Sequence, residues 1–278
     1  MTPNRLKDDF IMLKKIFLFS FCFFIALGFS ASADLNEGLI SAWTFDDGTA
    51  RDSLENSDGE INNANAVDGK FLKGLDFNGK DSFVRIPHHP SMEVIEDSFS
   101  VSAWAFIRSF PQPNHAGIVF KGQKIGWSQD YAFRMATREV NQLTWAVPKP
   151  GTEGNFNSDN AAKDGEWTFV CLTADGTGAK AYVATENEVP RMVGSNGQAA
   201  PYQTRVGDPI EIGVGRARDG VVGNDIFFDG IIDEVYLWGR AISEDELADL
   251  ANGNRPSIVI LAVESTGKLA TTWGSVKH

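Results

Sequence analysis

Disulfide chemistry is almost absent from this chain. Its 278 residues include two cysteines, Cys22 and Cys171, and the first lies in an N-terminal run that reads as a removable export signal. No intrachain disulfide can then form in the mature protein, and Cys171, inside the apolar stretch 167–172, reads as a small buried hydrophobe. Positive charge is scarce too. Lys and Arg number 25 against 37 Asp and Glu, a formal net charge of −12, which argues against binding nucleic-acid phosphates or an anionic membrane surface. HExxH, GxSxG and Cys/His arrangements are missing, and Gly213-Val214-Gly215 lacks the third glycine and following helix of a dinucleotide fingerprint. His88-His89, between Pro87 and Pro90, reads as a polar turn, because neighbouring histidines on an extended chain diverge. No repeat at solenoid or propeller periods is present.

The apolar run 16–29 follows Lys14-Lys15 and ends at the small residues Ala31-Ser32-Ala33. It is shorter than the roughly 20 residues of a spanning helix, so residues 1–33 are read as a signal peptide and the mature chain is expected near Asp34. Met12-Leu13-Lys14-Lys15 supplies an alternative start with a short basic lead. The expected location is outside the cytoplasm, in a periplasm, on a cell surface or in the medium, with no membrane insertion after cleavage.

What the chain does have is strands and turns. Alternating or apolar runs at 39–45, 73–77, 82–86, 99–107, 117–121, 131–136, 143–147, 166–172, 179–184, 210–214 and 227–238 read as strands. Between them fall Asp46-Asp47-Gly48, Asp68-Gly69, Asn78-Gly79, Asp164-Gly165, Asp175-Gly176, Asp219-Gly220 and Asp229-Gly230, short sequences suited to the positive φ of tight turns. With no alternating helices, the fold class is all-β, a two-sheet antiparallel sandwich or jelly roll. One short helix is expected, opened by the capping box Ser243-Glu244-Asp245-Glu246, striped by Leu247, Leu250 and Ala251, and ended at Gly253. The reading is one domain over 34–253 and a tail over 254–278 lying outside the sandwich. A domain of that size buries a core large enough to dispense with disulfides.

The order Gly38-Leu39-Ile40-Ser41-Ala42-Trp43-Thr44-Phe45-Asp46-Asp47-Gly48, then Asp52-Ser53, then Gly74-Leu75-Asp76-Phe77-Asn78-Gly79 resembles the opening of a laminin G-like jelly-roll domain. Phe99-Ser100-Val101-Ser102-Ala103-Trp104, Asp164-Gly165-Glu166-Trp167 and Phe228-Asp229-Gly230-Ile231-Ile232-Asp233-Glu234-Val235-Tyr236 resemble its later signatures in the right order. The resemblance covers about 39–252 and implies the concanavalin A-like lectin and glucanase sandwich, with the first and last long strands adjacent. Segments 114–130 and 148–162 are longer and more polar than that family's minimum.

The resemblance also implies a structural calcium ion where the loop after the first strand approaches the last strand. The matching residues are Asp46, Asp47 and Asp233, with Asn78. Calcium takes six to eight oxygens, and Asp233, set in an apolar run, needs a partner for its charge. The alternatives are that Asp233 meets Arg85, Arg240 or backbone amides while Asp46 and Asp47 form a solvated turn.

Trp127, Tyr131, Phe156 and Tyr202 lie in or beside polar stretches, where an exposed aromatic stacks on a sugar ring while Asp130, Asn155, Asn157 or Asn160 satisfies hydroxyls. Trp127, Asp130, Tyr131 and Phe156 are taken as the ligand contacts. Trp43, Trp104, Trp145, Trp167 and Trp238 fall on strand patterns and are expected in the core. Retaining glucanases need two carboxylates roughly 5 to 5.5 Å apart. Here the nearest acids, Asp233 and Glu234, are adjacent on a strand and so expected on opposite faces. The sequence therefore reads as an exported non-catalytic recognition module for carbohydrate or for an extracellular or glycosylated protein. A structural or adhesive surface component and a carbohydrate-active enzyme are the alternatives.

Overall fold

The computed structural model describes residues 34–110, 115–122, 131–147, 154–215 and 225–257. Their strands form two large antiparallel sheets. The first runs β13 (Arg191–Asn196), β12 (Gly178–Thr185), β11 (Trp167–Asp175), β6 (Phe99–Ser109), β17 (Asp229–Trp238), β4 (Lys73–Asn78), β3 (Asn65–Asp68), with β1 (Leu39–Trp43) also paired to β17. The second runs β10 (Asn155–Ser158), β9 (Leu143–Ala146), β8 (Tyr131–Thr137), β7 (Gly117–Gly122), β14 (Ile210–Ile212), β5 (Phe83–Ile86), β2 (Glu60–Asn62). A small ribbon joins β15 (Val214–Gly215) to β16 (Ile226–Phe227), and a 3₁₀ turn spans Pro90–Glu96. These described residues belong to one compact unit beginning at Asp34. Among them no helix is long and apolar enough to cross a membrane.

The strongest sequence patterns became the interior strands and β1, and the four strands without such a pattern, β2, β3, β10 and β13, each close one end of a sheet. An end strand has one neighbour instead of two and more of its surface in water, so polar residues such as those of Asn155–Ser158 cost little there.

The opening and closing strands lie side by side, with Leu39 opposite Trp238, Ala42 opposite Tyr236 and Trp43 opposite Val235. Strand β17 keeps β6 along one edge and divides the other between β4 and β1. Between those two partners it bulges: the register shifts between Asp233 and Tyr236, and Glu234 takes φ 54°. Asp229-Gly230, expected as a turn, instead begins this strand. A Cβ at Gly230 would collide with the Phe106 carbonyl oxygen, which explains the glycine.

Facing side chains of the two sheets make the main core, which includes Trp43, Phe77, Phe99, Phe133 and Trp145. A second apolar cluster covers the outer face of the eight-stranded sheet: Trp104, Phe169, Cys171, Tyr182, Tyr236 and Trp238. Four of the five strand tryptophans are thus buried; Trp167 is half-buried against the second cluster. Burial among apolar groups pushes the Cys171 thiol strongly up, so it stays protonated and inert.

That second cluster exists because helix α1 (Glu244–Ala251) lays Leu247, Leu250 and Ala251 onto it. The capping box forms as expected: the Ser243 hydroxyl accepts from the Glu246 amide, and the Glu246 carboxylate accepts from the Ser243 amide at 2.7 Å. Replacing Ser243 with alanine should cost about 1 kcal/mol in chemical denaturation, the usual worth of one N-cap. The tail expected outside the sandwich begins inside it. The Arg255 side chain is 14% exposed, Pro256 is buried, and the Ser257 hydroxyl accepts from the Asn36 amide at 2.9 Å.

Candidate functional site

Directly opposed residues in a sheet share a face. In the seven-stranded sheet the row Phe156, Trp145, Met135, Val119, Ile212, Val84, Ile61 points into the core. The neighbouring row must therefore point outward, and it reads Asn155, Ala146, Arg134, Phe120, Glu211, Arg85, Glu60. The two sheets thus have opposite outer faces, one apolar and roofed by α1, the other carrying charges and an amide. At its centre Phe120 and Ala146 form a small apolar contact of their own. Arg134 and Glu211 are buried, while Asn155, Arg85 and Glu60 are exposed.

The arrangement at the Asn155 end is specific. The Arg134 guanidinium, 4% exposed, donates from Nη2 to Asn155 Oδ1 at 3.0 Å, holding an exposed amide from beneath. Asn157, two residues further along β10, is exposed as well. At the other end Arg85 Nε lies 4.0 Å from Glu211 Oε1. The exposed members of the row, the Asn155 amide at one end and Arg85 and Glu60 at the other, can exchange hydrogen bonds with a polyhydroxylated or polar ligand, whereas Arg134 and Glu211 act from beneath.

The residues expected to contact ligand fare differently. Trp127 and Asp130 lie outside the described residues. They belong to the connection between β7 and β8, two strands that contribute to the outward row. Tyr131 is the first residue of β8 and pairs with Gly122. Phe156 is corrected: its ring stacks on Trp145 at 6.0 Å and 17°, and it packs against the core, so it is a wall of the sandwich. Tyr202 is likewise a core residue, 3% exposed, edge-on to Phe99, with its hydroxyl donating to the carbonyls of Asp175 and Gly178. Arg134 escaped the sequence reading, although a lone arginine inside the apolar run 131–136 was a signal. No residue-level pattern connects it to Asn155, 21 positions away.

The acids gather elsewhere, at the bulge of β17. Asp233 is fully buried; its Oδ2 accepts from the Phe71 amide at 3.0 Å and its Oδ1 from the Glu234 amide at 2.9 Å. This is the backbone-amide alternative for Asp233, realised. The bulge also corrects the expectation that Asp233 and Glu234 stand apart on opposite faces. Burial raises the carboxyl pKa of both, and the Glu234 charge raises that of Asp233 further, with Asp46 adding to each. Glu234 accepts from Arg255 Nε at 2.9 Å and from the Tyr236 hydroxyl, and its Oε1 lies 2.7 Å from Arg255 Nη2. The same Nη2 donates to Asp46 Oδ2.

The calcium implied by the family resemblance can be tested against these residues. Asp46 and Asp233 reach one cluster, but Asp47 and Asn78 do not. Asp47 accepts from the Thr49 amide at 2.9 Å and from its hydroxyl at 2.6 Å, an exposed local turn. Asn78 is exposed, organises the turn to Ser82, and stands opposite Asp229, four residues from Asp233 along β17. Among the described residues no group of three or more His, Cys, Asp or Glu side chains is placed to hold a metal ion. As a set the four do not fit a calcium site, and a guanidinium stands between Asp46 and Glu234. The cavity beside them, about 10 Å³ and bounded by Phe71, Trp104, Tyr236 and Arg255, is of the size one water needs.

A family model for the concanavalin A-like lectin/glucanase superfamily, of laminin G type, matches residues 78–248. No curated protein matches the chain in sequence. Similar solved structures include domain 4 of AbnA, a GH43 extracellular arabinanase from Geobacillus stearothermophilus, in complex with arabinotriose. It is 21% identical over 77% of this chain and 98% of that one, with a TM-score of 0.55. The binding domain of botulinum neurotoxin DC in complex with rat synaptotagmin II is 13% identical over 80% of this chain and 52% of that one, with a TM-score of 0.58. The same toxin domain in complex with SialylT is 13% identical over 79% and 52%, again with a TM-score of 0.58. This chain spans about half the length of the toxin domains, and at these identities the likeness is one of fold.

Proposed function

The chain belongs to the concanavalin A-like lectin/glucanase superfamily, and from that membership we propose that it is an exported, non-catalytic module that binds carbohydrate at the Asn155 end of its seven-stranded sheet. The observation that carries this reading is the buried Arg134 guanidinium holding the exposed Asn155 amide. A cation buried in a sheet face is costly unless it is well paired, and here part of its hydrogen bonding orients a group that water or a ligand can reach. Asn155 and Asn157 then offer donors and acceptors to sugar hydroxyls. Trp127, Asp130 and Tyr131, from the connection between β7 and β8 and its end, complete the proposed contacts.

Relatives of the same fold in complex with arabinotriose and with SialylT support a saccharide as the ligand class. The complex with synaptotagmin II supports a second reading, in which the ligand is an extracellular or glycosylated protein. The non-catalytic reading draws on the state of the acids. Raised carboxyl pKa values are a mark of acid–base sites, but Asp233 and Glu234 are 0% and 2% exposed beneath Arg255 and Phe71, where a glycosidic bond has no approach. Export draws on the basic, apolar and small-residue order of residues 14–33.

A glycan array that includes arabino-oligosaccharides, followed by calorimetry on any hit, tests the proposal. Arg134→Ala and Asn155→Ala should each weaken binding by about tenfold or more, the worth of one or two charge-assisted hydrogen bonds. Full affinity in both variants and in Trp127→Ala would remove the site from this face. Release of sugar products from polysaccharide would show an enzyme instead.

A further inference from the structure

The disagreement between the implied calcium and the residues present leads to a different account of the buried acids. Asp46, on the loop after β1, and Asp233 and Glu234, on the bulge of β17, put three carboxyl groups where their charges interact. Such a group keeps its charges only with a cation nearby and otherwise holds protons. Arg255 supplies one. Its Nη2 donates to Asp46 and lies 2.7 Å from Glu234 Oε1, while its Nε donates to Glu234 Oε2 at 2.9 Å, so one guanidinium bridges the loop and the bulge. The Phe71 ring lies 5.9 Å from the guanidinium carbon on a further side. The chain reaches this position by turning back after α1 at Gly253, where φ is 89° and an added Cβ would meet the Phe71 ring at 3.2 Å. Pro256 is buried and Ser257 is tied to Asn36, so the segment after the helix is held on both sides of Arg255.

We propose that Arg255 is the resident cation of this sandwich: its guanidinium fills the bridging role between the first loop and the last strand that a divalent ion would fill, and it fastens the segment after α1 to the domain. Stability is then independent of divalent metal and dependent on this one side chain. An ion can enter between Asp46 and Glu234 only where Arg255 is absent.

Thermal melting of the full chain, in chelator and in millimolar calcium or magnesium, tests the first half. The melting temperature should be the same in all three. A rise with calcium, or a fall in chelator, overturns the proposal and restores a metal-stabilised sandwich, because an ion that binds only the folded state must raise the transition. The second half is tested with Arg255→Ala and Arg255→Lys. Removing the guanidinium leaves buried carboxylates uncompensated and should lower the melting temperature by about 10 °C, with the lysine variant intermediate because it keeps charge without the fork. Calcium should then raise the alanine variant's transition while leaving the parent's unmoved. An alanine variant that melts with the parent and ignores calcium also overturns the proposal. Should that variant fail to fold, limited proteolysis of Arg255→Lys decides: faster cleavage after α1 than in the parent is expected, and equal protection counts against the fastening role.

Discussion

Replacing Asp52 with alanine should destabilise the domain by about 4 kcal/mol and lower its melting temperature by about 10 °C, as large an effect as deleting a core side chain. Asp52 is fully buried behind β1. Its Oδ1 accepts from the Ala42 amide at 2.9 Å and the Leu54 amide at 3.0 Å, and its Oδ2 accepts from the Ser57 amide at 3.2 Å. One carboxylate thus satisfies three backbone donors that have no ladder partner at this crossing, and truncation would strand all three in a dry environment. Asp52→Asn keeps an oxygen for two of the donors but turns an NH₂ toward the third, so its loss should fall between the parent and alanine. Urea titration of the three proteins checks the order. An alanine variant within about 1 kcal/mol of the parent would mean that water reaches these amides.

The second large effect is a dependence of stability on alkaline pH, and it centres on Lys121. This side chain sits in β7 at the rim of the core, fully buried, with Nζ donating to the Asp208 carbonyl at 2.8 Å and lying 3.3 Å from His88 Nδ1. The charged groups around it are Asp208 and Arg205 from the loop before β14, and Glu93, whose carboxylate is 3.6 Å from His88 Nε2. Burial lowers the Lys121 pKa from the ordinary 10.5 to about 8, with Arg205 lowering it and Asp208 opposing.

Between those values the unfolded chain binds a proton that the folded chain has released, so the contribution of Lys121 to folding stability rises with pH across that window, against the buried Cys171 thiol, whose raised pKa acts in the opposite sense. The gain is lost again as pH falls through 8, and it amounts to about 3 kcal/mol at most. Tyr202, whose hydroxyl burial pushes up to about 12, works in the opposite sense above pH 10. The clean comparison is therefore the difference between the parent and Lys121→Met from pH 7 to 10. The parent should gain stability relative to the variant as pH rises. A constant difference would show that the ammonium is solvated in the folded protein.

Several features of the molecule were readable one residue at a time. The interior strands show apolar alternation because both faces of a central strand are constrained, and the capping box is legible because its four residues are contiguous. The strands at the ends of the sheets, β2, β3, β10 and β13, were not, since their faces keep solvent contact and lose the pattern that marks a strand, whereas β1, which also has one neighbour, is covered and keeps it. Phe156 and Tyr202 were misplaced for a related reason. A polar neighbourhood in sequence does not mean an open one in space, and both rings turn inward from polar segments. Asp233 and Glu234 defeated the rule of alternating faces because one residue with φ 54° adds a step to the strand.

The two-sheet class and its helix follow from residue type and order, because burial of apolar surface and turn chemistry act locally, whereas the adjacency of the first and last strands is implied by the family resemblance and by no local pattern. Which polar groups meet follows from register across seven strands, the bulge in β17 and the return of the chain after α1. Those are decided only when distant segments pack, since the pairing of Arg134 with Asn155, and of Arg255 with Asp46 and Glu234, depends on angles and offsets that no single segment carries.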